Sequence, residues 1–204
     1  MKAGSQLVRP VNLNGYWAAN SFVTYSHPVA ALKSVMNLNS GLTYSRTPGL
    51  SNQIENMAGT YTLTQGVVLA SNISEKVDFT ASYTGNYNIA RNSAQSAQNS
   101  NYYSHVGSLK CNLIGWQAIV LRNEVTNNLT SGLGAGYDQD VVLWNVGLGK
   151  KLLSDQSVEI RLTATDLLNQ NRSVNRTVTG TYIQDTENLT LKRYVMLNVT
   201  CTMK

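Results

Sequence analysis

Two stretches near the end of the chain alternate so strictly that they constrain everything before them. Between residues 157 and 169, Val158, Ile160, Leu162 and Ala164 alternate with Glu159, Arg161, Thr163 and Thr165. Between residues 189 and 204, Val195, Leu197, Val199, Cys201 and Met203 alternate with Tyr194, Met196, Asn198, Thr200 and Thr202. A period of two puts one set on each face of a β-strand. Strands of about 10 residues are long enough to cross a bilayer when tilted. One face suits lipid and the other suits water, which is the pattern of a transmembrane β-barrel.

The remainder follows the same pattern. Strands are expected over residues 13–26, 35–46, 60–72, 77–90, 102–113, 117–130 and 140–151, with 157–169 and 189–204 as the eighth and ninth. Residues 47–56, 92–101, 131–139 and 169–188 are expected as longer polar loops. The intervening connections are short. That alternation is typical of outer-membrane barrels, with short turns on the periplasmic side and long loops outside. Tyr44, Tyr61, Tyr87, Tyr102, Tyr103, Tyr137 and Tyr194 fall near strand ends on the long-loop side, where a ring with a polar tip suits the headgroup level.

The expectation is an all-β chain: an antiparallel up-and-down transmembrane β-barrel segment of about 8–10 meandering strands, part of a larger barrel. Residues 1–12 read as an irregular lead-in and 13–204 as one incomplete barrel domain. Counting back through nine strands from a periplasmic C-terminus starts the first strand outside the cell, whereas single-chain bacterial barrels have even strand numbers. The N-terminus lacks the apolar core of a secretory signal. Both point to a C-terminal piece.

Charged residues are only 13% of the chain, with Asn, Ser, Thr, Gly and Tyr filling the gap. No stretch approaches the roughly 20 apolar residues of a membrane helix, and mean hydropathy is −0.20. The net charge of +5 is dispersed, which argues against a nucleic-acid partner. Cys111 and Cys201 are far apart in sequence and form no metal motif.

Several runs carry a family resemblance: Asn14-Gly-Tyr-Trp17, Asn39-Ser-Gly-Leu-Thr-Tyr-Ser-Arg-Thr-Pro48, Gly66-Val-Val-Leu-Ala-Ser-Asn72, Val77-Asp-Phe-Thr-Ala-Ser-Tyr-Thr-Gly85, Leu143-Trp-Asn-Val-Gly-Leu-Gly-Lys-Lys151 and Asp166-Leu-Leu-Asn-Gln-Asn171. From about residue 12 onward the chain resembles the C-terminal barrel portion of TonB-dependent-receptor-like bacterial outer-membrane proteins. The resemblance implies a barrel of roughly 22 strands, outer-membrane localisation, and a role in solute uptake without catalysis. The implied partners are outer-membrane lipid, the remaining strands, a plug domain and a solute or surface ligand. The alternative is a structural or adhesive surface barrel whose long loops bind a partner. The C-terminal Thr200-Cys201-Thr202-Met203-Lys204 departs from the aromatic ending usual in such barrels.

Neither His27 nor His105 sits in a catalytic motif, and no cofactor or metal site is expected. The candidate functional residues are therefore charges on the polar register, Arg122, Glu124, Glu159 and Arg161, expected to face the lumen as a salt-bridge ladder. Arg172, Arg176 and Tyr182 are the expected external-loop contacts.

Overall fold

The computed structural model describes residues 12–51, 54–74, 76–94, 99–134, 136–153, 156–178 and 183–202. Nine strands form one antiparallel sheet: β1 (Trp17–Val29), β2 (Ser34–Ser51), β3 (Ile54–Ser74), β4 (Val77–Asn92), β5 (Ser100–Ile114), β6 (Ile119–Ser131), β7 (Gln139–Leu152), β8 (Val158–Thr165) and β11 (Tyr194–Cys201). Neighbours in sequence are neighbours in space, except that β8 pairs with β11. β9 (Ser173–Val178) and β10 (Ile183–Asn188) pair only with each other, as a separate hairpin. The sheet is open: β1 and β11 each pair on one side only. The antiparallel meander is thus present, while the described strands do not close into a barrel.

Directly opposed residues share a face. Val29, Ser34, Ser71, Phe79, Cys111, Asn123, Val146, Ala164 and Val195 are opposed in succession across all nine strands. Val29 ends β1 at the short-turn side, whereas Val195 is the second residue of β11, at the long-loop side. The strand ends therefore step steadily across the sheet. Such a stagger is the register of strands inclined to the axis of a curved sheet.

This register puts every expected apolar set on one face. Val77, Leu113, Leu121, Leu148, Leu162 and Leu197 form one unbroken row across six strands. Leu113, Leu121, Leu148, Leu162 and Leu197 are all exposed, as are Leu38, Leu42, Leu63, Trp144 and Val199 on the same face. The opposite face is a ladder of short polar side chains. Thr24 donates to Asn39, Ser26 to Asn37, Thr43 to Asn20, Thr62 to Asn88 and Thr64 to Asn86, each to its direct cross-strand partner.

Among the described residues only Ala58, Ala90, Val120 and Val141 are buried apolar side chains. Among the described residues no second element covers the apolar face of this single-layer sheet, so they build no ordinary core.

Local details differ from the sequence expectation. Residues 47–51 and 54–56 extend the β2–β3 ladder instead of forming a loop, with Thr47 opposite Ala58 and Pro48 opposite Met57. β1 begins opposite Arg46, so one edge of β2 is free beyond that point, where a proline lacking a donor is tolerated. The expected loop 169–188 contains the β9–β10 hairpin. The eighth strand is shorter than expected, because Asp166 adopts a left-handed φ of 54° and ends β8; the last strand is also shorter, spanning Tyr194–Cys201. The lead-in lies outside the described residues except for residue 12.

Candidate functional site

The charges expected on the polar register do share one face, near the short-turn end of β5 to β8. Arg122 of β6 reaches Glu159 of β8, with Nη2 3.1 Å from Oε2. Arg161 holds the other carboxylate oxygen, Nη1 to Oε1 at 3.2 Å. Glu159 is the well-covered member, its side chain 13% exposed. Glu124 belongs to a different pair: it takes Lys110, 3.0 Å away on β5. The ladder is therefore one triad and one pair.

β7 lies between Arg122 and Glu159, and its sequence explains how they meet. Gly147 is opposed by Arg122 on one side, and Gly149 by Arg161 on the other. A Cβ on Gly147 would stand 3.2 Å from Arg161 Cδ, and one on Gly149 only 3.1 Å from Arg161 Cβ and 3.3 Å from Glu159 Oε1. Both positions sit on the polar register, where a side chain would fill the gap. Lys110 and the Gly-x-Gly of β7 were missed in the sequence. The signal was present, as two glycines at i and i+2 mark a close approach on one face of a strand. The result is a shallow polar depression lined by Lys110, Arg122, Glu124, Asn145, Gly147 and Arg161, among others.

The apolar face carries an aromatic row toward the long-loop end. The Trp17 and Tyr44 rings are 4.9 Å apart, and Tyr44 and Tyr61 are 4.4 Å apart. Tyr87 opposes Tyr103, whose hydroxyl bonds that of Tyr83. Tyr102 and Tyr194 point to the polar face instead, since neighbouring residues of a strand cannot share a face. Tyr137 lies in the loop before β7. The apolar face also carries polar groups at this level. His105 Nε2 donates to Asn127 Oδ1, and Asn127 Nδ2 donates to Asp140, both at 2.7 Å.

On the long-loop side, Asp166 organises the connection to the hairpin. It is 1% exposed, and its two carboxylate oxygens accept from the backbone N–H groups of Gln170 and Asn171. Its own N–H donates to Asn145 Oδ1. Asn171 in turn bonds Leu191 O, just before β11. The run Asp166–Asn171 is thus a folded knot joining β7, β8 and the approach to β11. Of the expected external-loop contacts, Arg172 is exposed beside this knot. Arg176 lies in β9, opposite Asp185. Tyr182 lies outside the described residues.

His27 contacts Tyr25, whose hydroxyl lies 3.4 Å from Nδ1. Among the described residues no three His, Cys, Asp or Glu side chains are grouped to hold a metal. Cys111 and Cys201 are free and share the apolar face, but β6, β7 and β8 stand between their strands. No protein-family model matches the chain, and no curated protein or solved structure shows significant similarity to it.

Proposed function

We propose that the chain is the C-terminal β-barrel segment of an outer-membrane receptor or transporter of the TonB-dependent-receptor-like kind. Its apolar face meets lipid, its polar face lines the lumen, and it is non-catalytic. One observation carries the reading: nine strands share one exposed apolar face and one hydrogen-bonded polar face. An apolar surface of that extent requires a cover, because it far exceeds the patches of soluble monomers. With no second layer over it among the described residues, lipid is the cover that accepts a continuous band without a matching shape. The stagger of the strand ends fits strands tilted across a bilayer. Uptake belongs to the whole barrel, with further strands on the open edges of β1 and β11, and with a plug domain.

A second reading is a structural or adhesive surface barrel that binds a partner through its long loops. The observation favouring it is the β9–β10 hairpin, built apart from the main sheet next to the exposed Arg172.

The test of the first reading is fluorescence quenching by brominated phospholipids in vesicles. Trp144, on the apolar face, is kept as the single tryptophan, with Trp17 and Trp116 replaced by Phe. Folding only in detergent or lipid, with strong quenching of Trp144, is the expected result. A folded β spectrum from a monodisperse sample without detergent would overturn it.

A further inference from the structure

We infer that the short-turn end of the polar face binds a small anion, a solute bearing a phosphate or carboxylate group. The inference deepens the reading of this face as solute-lined, and rests on it. Lys76, Asp78, Arg122 and Lys151 line a depression of about 290 Å³, whose apolar side is formed by Ile114 and Val120. All but Lys76, which stands in the β3–β4 turn, are strand residues of the polar register. Of the described carboxylates nearby, Glu124 and Glu159 are paired with cations and Asp78 is held by an amide. Asp78 accepts a 2.8 Å hydrogen bond from Asn112 Nδ2. Glu159, opposed in register by Lys151, has both oxygens taken by Arg122 and Arg161. Glu124 is taken by Lys110. Lys76 and Lys151 have no ion pair among the described residues.

Among the described residues, five cations, Lys76, Lys110, Arg122, Lys151 and Arg161, face this end against three carboxylates. The two ammonium groups with no ion pair among the described residues stand in the same depression as a guanidinium fixed by Glu159. A fixed guanidinium offers a fork of donors that fits a phosphate or carboxylate, and the lysines add point charge without demanding one geometry. Val120, 3% exposed, supplies an apolar wall that keeps these charges from being fully solvated. The volume suits a compact anion.

Lys150 provides an internal control, since it neighbours Lys151 in sequence but stands on the opposite face, across from Ile160. The full chain, folded in detergent micelles, is titrated with inorganic phosphate and separately with citrate, by isothermal calorimetry at low salt. Circular dichroism confirms that every variant is folded. Saturable binding of either probe is expected, the responding probe naming the headgroup. The Lys76→Gln/Lys151→Gln variant should bind about tenfold more weakly, as for the loss of charge-assisted contacts, with Lys150→Gln unchanged. Absence of saturable binding of both probes, or an equal loss in Lys150→Gln, overturns the site. Failure of the membrane reading is scored separately by the lipid quenching of Trp144. The calorimetry reads the anion site whichever way that experiment falls.

Discussion

Arg122 and Glu159 form an ion pair across an intervening strand, Nη2 to Oε2 at 3.1 Å. Strands are about 4.8 Å apart, so β6 and β8 run roughly 10 Å from one another, and Glu159 is offset along β8 from Thr163, the residue in line with Arg122 across Gly147. An arginine covers that distance only if nothing rises from the strand between. Gly147 and Gly149 leave that space open, and so set which charges meet. Glu124, on the same strand as Arg122, pairs with its direct neighbour Lys110 instead.

Filling the gap should separate the pair. Gly147→Leu is expected to displace Arg161 and Arg122 from Glu159 and to cost about 1–3 kcal/mol, as overpacking does. Gly107→Ala is the control: its added Cβ would meet only Tyr83 Cδ2 at 3.7 Å, so a change within about 0.5 kcal/mol is expected. Urea titration of the chain in micelles, followed by tryptophan fluorescence, measures both. Equal costs would remove the close approach as the cause.

The two faces make a sharper demand on β8. Leu162 lies between Leu148 and Leu197, while its neighbour Thr163 lies between Gly147 and Met196. Leu162→Arg is expected to cost about 2–4 kcal/mol of folding into vesicles, and Thr163→Arg less than about 1 kcal/mol. Matching losses in a vesicle-folding titration would mean that both side chains meet the same medium.

The cysteines give a prediction from distance. Cys111 on β5 and Cys201 on β11 stand on strands about 19 Å apart, and Cys201 is displaced along β11 from Val195, the residue in line with Cys111, so they lie far beyond the roughly 7 Å that a disulfide spans between Cα atoms. Mild oxidation of the folded chain should leave both thiols free to alkylate, with no intrachain link found by mass spectrometry. Formation of that link would require a different strand order.

Side-chain direction in a strand is settled by parity alone, which is why the facing of Leu162, Leu148 or Tyr87 was legible before any contact was known. Pairing is not settled that way. Which residue opposes Glu124 depends on where each turn reverses the chain and on irregularities such as the bulge between Asn72 and Ser74. Lys110 therefore stayed hidden. Pro48 and Gly49 read as a loop, because the sequence does not reveal that β1 starts too late to pair there. The β9–β10 strands are six residues each and mostly polar, so they lack the apolar period that marks the longer strands. Leu167 and Leu168 prolong an apolar run past the point where Asp166 turns the backbone.

Asp166 offers the last test, because its role is separable from both faces. It stands at the end of β8 with a left-handed φ, which Asn tolerates nearly as well and Ala does not. Its carboxylate satisfies the N–H groups of Gln170 and Asn171, and through them the strand before the hairpin is tied to Leu191 and the entry to β11. Asp166→Ala leaves both donors without an acceptor and adds backbone strain, so a loss of about 2–4 kcal/mol is expected. Asp166→Asn keeps the φ and one acceptor oxygen, and should lose about 1 kcal/mol. If the knot positions β11, Asp166→Ala should also speed amide exchange along Tyr194–Cys201, while the β2–β3 ladder stays protected. Hydrogen exchange in micelles reads the two regions together. Uniform loss of protection across the sheet would show that Asp166 supports global stability and not the docking of the last strand.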